Sequence, residues 1–482
     1  MSTGIYYVED NSLMPNDDAL ISSVISQVPI TGGRVVLSNR TYTISQSIVL
    51  RSHIVFCGAG VSSEILCTTD VPIIRIDRGN GSSSSYIEIC DMRMRYLSMN
   101  TSESFHVEAD RPIGLKICNV IFNGAGRVHS GVLTWDASSQ NKQKKINAGE
   151  DSPAFMTHIE KCIFDCASIW LNDSDSRIIN NYIWGNTTVG TNYISAAIRL
   201  SNSAINISGN DIVAGNDAGI LLASTCSGIR IENNYFDGSW ENVCTGWGIS
   251  IAGAFHVLIL GNFFNESYYG GINVLSSYQL TISKNIFSNL NRSCDSSSRY
   301  DIKIISGAVL TTGHLIEGNQ HFRARNDSQH YAVHVDNNTQ ATIVNNSLID
   351  WGADGYNSYF KPPFVMQTNK YAVRKDNRVT SRIPQQGGNV IDYYPYQFDE
   401  GQVTVSNGSS PQSVAVSFSP DFVAQNILPK VQDIYVSFVG SSSTSAVAFS
   451  VWGISTSGFN IAFRPVDNST TDGIFFWRVS PQ

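Results

Sequence analysis

The sequence predicts an all-β chain: a right-handed, single-stranded parallel β-helix followed by a C-terminal antiparallel β-sandwich. Three observations carry that expectation. One motif recurs ten times: an apolar residue, two variable positions, Asn or Cys, one variable position, then another large residue. It runs from Ile87-Cys90-Met92, Leu115-Cys118-Val120 and Ile159-Cys162-Phe164 to Ile316-Asn319-His321 and Ile343-Asn346-Leu348. Successive middle positions are between 19 residues (Cys162 to Asn181) and 44 residues (Cys118 to Cys162) apart, the loose period of a solenoid. Most copies are preceded by a second short alternation, such as Ile198-Leu200, Ile249-Ile251 or Val333-Val335. Alternation with period two and no helical periodicity means strands buried on one face. Past Leu348 the motif stops and the composition changes.

The first segment, residues 1–50, reads as a cap. Asp17 or Asp18 is placed to cap a helix whose Leu20, Val24 and Val28 form one stripe. That helix would plug the open end of the solenoid, as a terminal coil requires. Residues 51–355 read as the β-helix, with two or three strands per repeat. An Asn column at one corner fits, because Asn tolerates left-handed backbone and its amide can bond the same group one coil away. Residues 356–400 read as a transition, punctuated by Pro362-Pro363, Pro384, Gly387-Gly388 and Pro395. Residues 401–482 read as the sandwich: alternating runs near 413–418, 433–438, 446–452, 459–463 and 474–477 are split by Ser/Gly-rich turns. There, Phe475-Phe476-Trp477 suggests an aromatic surface, with core packing expected for two of the three.

Composition narrows the function. Charged residues are 15%, against about 25% in ordinary domains, and the balance is Ser, Asn, Thr and 38 Gly. A net charge of -8 without a basic stripe argues against nucleic acid. No run approaches the ~20 apolar residues of a membrane span, and no basic-then-apolar leader opens the chain. A soluble protein is expected, leaving a cell by a route the sequence does not encode, such as lysis. Nine Cys without framework spacing favour free buried thiols, and no metal-type pairing accompanies Cys162 and Cys166. Neither a metal nor a cofactor is expected.

The opening Asn16-Asp17-Asp18-Ala19-Leu20, then Gly32-Gly33-Arg34-Val35-Val36-Leu37 and Thr41-Tyr42-Thr43-Ile44, resembles the start of the pectate-lyase-like β-helix superfamily. There an Asn-Asp-Asp-Thr-rich helix start precedes a Gly-Gly-led strand pair. Cys57-Gly58-Ala59-Gly60 resembles the Gly-x-Gly turn that follows, whereas the family's Pro-x-Gly is Ser38-Asn39-Arg40 here. A β-helix with a terminal sandwich is similar to bacteriophage tailspikes and tail-fibre depolymerases, homotrimers with glycan-cutting grooves. The resemblance implies a virion-tail depolymerase whose partners are a bacterial surface polysaccharide and other tail components. A head-binding domain is not visible, so docking on another tail component or a shortened chain is implied. Fold does not fix chemistry.

The variable loops after the Asn corner are expected to rim the groove. Its floor is expected to be the outward residues Trp170, Arg199, Leu221, Ser250, Asn273, Lys303 and His334. The 237–247 loop is richest, with Asp237, Trp240, Glu241 and Trp247; one coil on come Glu266, Tyr268 and Tyr269. Asp237 lies three residues after Asn234 and Glu266 four after Asn262, so they sit at neighbouring heights. Coils ~4.8 Å apart bring such carboxyl groups within a glycosidase's range, ~5 Å for retention or up to ~9.5 Å for inversion. Asp237, Glu241 and Glu266 are therefore the catalytic candidates, one protonated as acid and one ionised. Trp170, Arg199, Asp217, Trp240, Trp247, Tyr268, Tyr269 and Asn273 are the substrate-binding candidates, the aromatics stacking on sugar faces. Acidic solenoid loops also occur for solubility alone, and Asp173 and Asp175 read as turn formers.

Hydrolysis is the expectation. A polysaccharide lyase is the rival, using Arg199, Arg299, Lys303, His330 or His334 around a uronate carboxyl with Tyr268 or Tyr300 as acid. The paired-Asp and Gly-His-Gly motifs of polygalacturonases are absent, as is a lyase Arg-x-Pro-x-x-Arg. A non-catalytic receptor-binding adhesin is the reading from another class. A secreted pectinase fits less well, given the terminal sandwich and the missing leader.

Overall fold

The computed structural model describes residues 4–9, 16–77, 84–97, 105–124, 131–135, 154–185, 196–213, 218–237, 246–265, 270–288, 299–306, 311–322, 330–335, 339–349, 364–365, 373–375, 378–380, 399–408, 412–418, 434–440, 447–465 and 471–479. The solenoid is a parallel β-helix. One face is a twelve-stranded parallel sheet running in chain order from Ile48–Leu50 to Phe364–Val365. A full coil contributes three strands, for example Trp247–Ala252, Phe255–Leu260 and Phe263–Asn265; the next repeats them as Gly270–Leu275, Tyr278–Ser283 and Ile286–Ser288. Each pairs in parallel with its counterpart one coil away. Ile and Val on the inward positions form one continuous core.

The helix Asp17–Gln27 covers the N-terminal end, with Leu20, Ile21, Ile25 and Val28 buried and Val24 packed against the core. Its cap differs from expectation. Asn16 is the N-cap, accepting from the Ala19 amide at 3.0 Å. Asp17 and Asp18 turn instead to the first coil: Asp17 accepts from the Thr43 amide at 2.7 Å and Asp18 from the Ser45 and Gln46 amides at 3.0 Å. Their charge still lies at the positive end of the helix, so it fastens the cap to the solenoid while favouring the helix.

The Asn column is an unbroken ladder. Each Oδ1 of Asn210, Asn234, Asn262, Asn285, Asn319 and Asn346 accepts from the backbone amide of the ladder Asn one coil before it and from that residue's Nδ2, at 2.9–3.0 Å. The Nδ2 groups also reach Ile carbonyls, so these buried amides are well satisfied. The left-handed backbone falls one residue earlier than expected, on Asn180, Gly209, Asn233, Gly261, Lys284, Gly318 and Asn345. The ladder Asn is there for its amide, and its neighbour makes the turn. The first two copies are also misplaced by the sequence motif. Cys118 pairs with Cys90 and with Glu160, which puts Met92 and Val120, not the two cysteines, in line with Cys162 and the ladder. Cys162 tops the ladder by donating its amide to Asn181 at 2.9 Å.

One turn further on, Phe236, Phe264 and Phe287 stack inside the solenoid at 4.5 and 4.9 Å, nearly parallel. Gly219, Gly248 and Gly271 face them; a Cβ there would lie 3.2, 2.7 and 2.5 Å from the Phe236, Phe264 and Phe287 rings. The next coil exchanges both partners. His321 stacks on Phe287 at 5.0 Å, Asp301 stands in the glycine column, and His321 Nδ1 lies 2.8 Å from Asp301 Oδ2, both fully buried. The wider carboxylate fits because the imidazole is smaller than a phenyl ring and carries the hydrogen-bonding edge it needs.

At the C-terminus are two three-stranded antiparallel sheets. In one, Thr471–Val479 lies between Asp399–Gly408 and Ile434–Gly440; in the other, Gly458–Pro465 lies between Gln412–Ser417 and Val447–Trp452. Phe475 and Trp477 are core and Phe476, between them, is 43% exposed, the alternation of a strand buried on one face.

Candidate functional site

Two outward faces meet at the corner that carries the variable loops. The first belongs to the twelve-stranded sheet. Its register aligns Trp170, Arg199, Leu221, Ser250, Asn273, Lys303 and His334 in one row, the order expected for the groove floor. The ends of that row differ. Trp170, Arg199 and Leu221 are only 6%, 3% and 7% exposed. Trp170 packs on Phe105 at 5.1 Å and carries the Arg199 guanidinium over its ring at 5.3 Å, so its faces are taken by protein. It is therefore a support for Arg199 and not a free stacking surface. Ser250, Asn273, Lys303 and His334 are partly exposed.

Nearer the corner, a second row on the same sheet carries aromatics. Trp247 stacks toward Tyr300 at 6.4 Å across the intervening Gly270, where a Cβ would strike the indole at 2.5 Å. Tyr300 continues onto Tyr331 at 5.3 Å, and Lys303 Nζ lies 4.8 Å from the Tyr300 ring centre. Gly270 is thus needed for space: a Cβ would meet the Tyr300 carbonyl of the next coil at 2.0 Å before it reached the indole, so only glycine lets the coils and the two rings close together. Tyr331 is buried beneath, whereas the partly exposed Trp247 and Tyr300 rings suit the apolar face of a pyranose.

The second face is built from the short strands after the ladder. In register it carries Ile163, Tyr182, Asp211, Tyr235 and Phe263, and beside them Asp165, Trp184, Val213, Asp237 and Asn265. Tyr235 stacks on Phe263 at 5.4 Å and its hydroxyl accepts from Asn265 Nδ2 at 3.2 Å. Trp184 is exposed. Asp211 and Asp237 are diagonal neighbours on this face, about 8 Å apart along the backbone lattice if coils are ~4.8 Å apart and residues ~3.3 Å. Burial raises the Asp211 carboxyl above its usual range, and the Asp237 charge raises it further. Asp211 Oδ1 is buried with no hydrogen-bond partner. Tyr182 is also raised, by burial and then by Asp211, Asp237 and Asp165.

Of the sequence candidates, Asp237 ends the strand Tyr235–Asp237, half-buried beside Asp211. Asp217, Trp240, Glu241, Glu266, Tyr268 and Tyr269 lie outside the described residues. Asp237 pairs with Asn265 one coil on. Asp211 was missed because it opens a strand directly after Asn210 and looks like a turn residue. Its signal was the parity it shares with Tyr182 and Tyr235. Asp173, expected as a turn former, is fully buried and accepts from the Thr157 hydroxyl; burial pushes it up to about 7.

Among the described residues one group has metal-ligand geometry: Glu88, Cys90 and Cys118, with ligand atoms within 4.8 Å of one another. Its chemistry does not favour a cation. Lys116 Nζ already sits 3.2 Å from the Glu88 carboxylate, and burial pushes the Cys118 thiol up to about 11, the protonated form. Cys57, Cys90 and Cys118 are best described as a stacked column of small buried side chains.

No family model matches the sequence, and no curated protein matches it. Solved structures do match. The Dettilon tailspike protein (gp208) is similar with a TM-score of 0.60 at 13% identity, covering 99% of this chain and 94% of that one. The Azotobacter vinelandii mannuronan C-5 epimerase AlgE6 A-module has a TM-score of 0.51 at 13% identity, covering 79% of this chain and 100% of the module. The Pseudomonas phage phi297 tailspike gp61 has a TM-score of 0.50 at 12% identity, covering 96% and 92%. At such identities the likeness is one of fold: the chain is a parallel β-helix of the architecture seen in phage tailspikes.

Proposed function

We propose that the chain is a subunit of a homotrimeric phage tailspike, held on the virion by other tail components, that binds and hydrolyses a bacterial surface polysaccharide internally. The observation that carries the chemistry is the Asp211–Asp237 pair. A glycosidase needs one carboxyl kept protonated and a second kept ionised, and a separation of ~6.5–9.5 Å leaves room for a water. Asp211, raised by burial and by its neighbour, is assigned the acid; Asp237 is assigned the base. Glu241 and Glu266, outside the described residues, are the alternative partners that the sequence offers. Trp184, Tyr235 and Phe263 on one face and Trp247 and Tyr300 on the other supply stacking surfaces. The likeness along nearly the whole length to the Dettilon tailspike supports the setting.

One observation favours β-elimination as the second reading: Lys303 stands over Tyr300, a cation beside a phenol that could serve a uronate. Product analysis decides. Capsule, O-antigen and exopolysaccharide from a host panel are incubated with the protein and the fragments weighed. Fragments heavier by one water per cut support hydrolysis. Unsaturated, ultraviolet-absorbing fragments without that water support elimination. Binding without fragments would leave an adhesin.

A further inference from the structure

The row on the twelve-stranded sheet contains a charge that no carboxylate among the described residues answers. Arg199 is 3% exposed, yet its Nε and Nη1 are buried without a hydrogen-bond partner. Its one close neighbour of note is the Trp170 ring, a neutral π-face. Burial lowers the guanidinium to about 10, and no carboxylate offsets it. Buried polar groups in proteins are almost always paired, and a guanidinium is the side chain most demanding of a partner, with five donors in a planar fork. Four steps along the same row stands Lys303, also lowered by burial and with no carboxylate offsetting it. The steps between are Leu221, Ser250 and Asn273, none of them acidic. In a chain whose net charge is -8, two desolvated cations with no carboxylate between them on the row call for an anion from outside; Glu108, on the same row, lies three coils before Arg199 and accepts from the Phe105 amide.

We propose that this row is an anion-reading track, Arg199 and Lys303 each pairing with a carboxylate of the bound glycan, so that the polysaccharide is an acidic one bearing uronate-type sugars. The inference rests on the polysaccharide reading above and names its substrate class. The Arg199 guanidinium, held 5.3 Å from the Trp170 ring centre just beneath the surface of the row, supplies a fixed positive charge for a carboxylate lying over it. Lys303, a point charge over the Tyr300 ring, sits where a sugar stacked on the Trp247–Tyr300 platform would place its carboxylate. The two cations are about 19 Å apart, four coils of ~4.8 Å. One glycan lying along the solenoid axis can therefore meet both.

The test uses matched pairs that differ only in charge. Methyl β-D-glucopyranosiduronate is compared with methyl β-D-glucopyranoside by calorimetry or ligand-observed NMR. Each surface polysaccharide of the host panel is compared before and after chemical reduction of its carboxyl groups to hydroxymethyl groups. The acidic member of at least one polymer pair is expected to bind about tenfold or more tightly, a difference of ~1.4 kcal/mol, and the preference is expected to shrink with salt. Arg199→Gln and Lys303→Gln are each expected to reduce the preference several-fold, with Arg199→Lys retaining part of it. Reducing the glycan needs no variant, so a poorly folded Arg199→Gln does not blunt the result. Equal affinity within every pair overturns the proposal, as does an acidic preference that survives both Gln variants. If the reduced polymers are still cut, the depolymerase reading stands and this one falls. If acidic ligands are preferred but no polymer is cut, this one stands and the enzyme reading falls.

Discussion

The two faces that flank the loop corner are built by the same stacking rule and carry opposite chemistry. On the twelve-stranded sheet the outward row from Arg199 to His334 holds cations and no carboxylate. On the short-strand face Asp165, Asp211 and Asp237 gather within four successive coils among tyrosines and Trp184. In a solenoid each coil sets one residue on the next at ~4.8 Å, so a charge on one coil is felt by the next few. Segregating signs onto separate faces then makes one face suited to holding an acidic chain and the other to proton transfer.

That contrast can be broken most directly on the acidic face. Asp237→Asn and Asp211→Asn are each expected to reduce turnover by about 10³-fold or more, leaving polysaccharide binding within a few-fold, as loss of a general acid or base does. If binding and turnover fell together, the division between the faces would be wrong. A sharper readout is the Asp211 carboxyl resonance: in Asp237→Asn its titration is expected to move down, because the neighbouring charge that helps hold it up is gone.

Both faces depend on the ladder beneath them. Asn262→Ala removes the hydrogen bonds that its Oδ1 accepts from the Asn234 amide and Nδ2 and those its Nδ2 donates to Asn285 Oδ1 and the Ile231 carbonyl, leaving the buried Asn234 donors unmet, an expected loss of about 3 kcal/mol in denaturant unfolding. Replacement by Asp, which keeps the acceptor but not the donors, should recover part of it.

Asp173 beside the Leu171 strand end offers a pH test of comparable size. Its folded value, about 7, is above the unfolded 3.8, so its contribution is fully present below about pH 4 and is lost as pH rises through about 7. The wild type is expected to lose roughly 2–4 kcal/mol from this group between those limits, and Asp173→Asn to flatten the curve. A melting temperature with the same pH profile in both proteins would refute the assignment.

The smallest effect belongs to the aromatic platform. Trp247→Ala is expected to weaken glycan binding by about tenfold, the value of one stacked ring at ~1–1.5 kcal/mol, with turnover at saturation little changed.

The exchange at His321 and Asp301 shows how far the sequence reaches. The recurring motif makes the Phe column legible, and His321 is visible as its break; the glycines opposite, Gly219, Gly248 and Gly271, are visible only as scattered residues. That Asp301 replaces the fourth of them and bonds His321 depends on the length of the intervening loop, which no periodicity encodes. Cys90 and Cys118 mark the opposite error, a local match to the motif that the true register overrides by two residues.

By itself the sequence determined the solenoid, its Asn corner, the plugging helix, the terminal antiparallel strands and the order of the outward row from Trp170 to His334. These follow from period-two burial and from amides that must be satisfied, both local properties of the chain. Tertiary structure decided the rest: that Trp170 is buried under Arg199, that Gly270 lets Trp247 and Tyr300 close, and that Asp211 stands beside Asp237. Each depends on which residue lies one coil away, and that is fixed by loops of unequal length and by packing across the core.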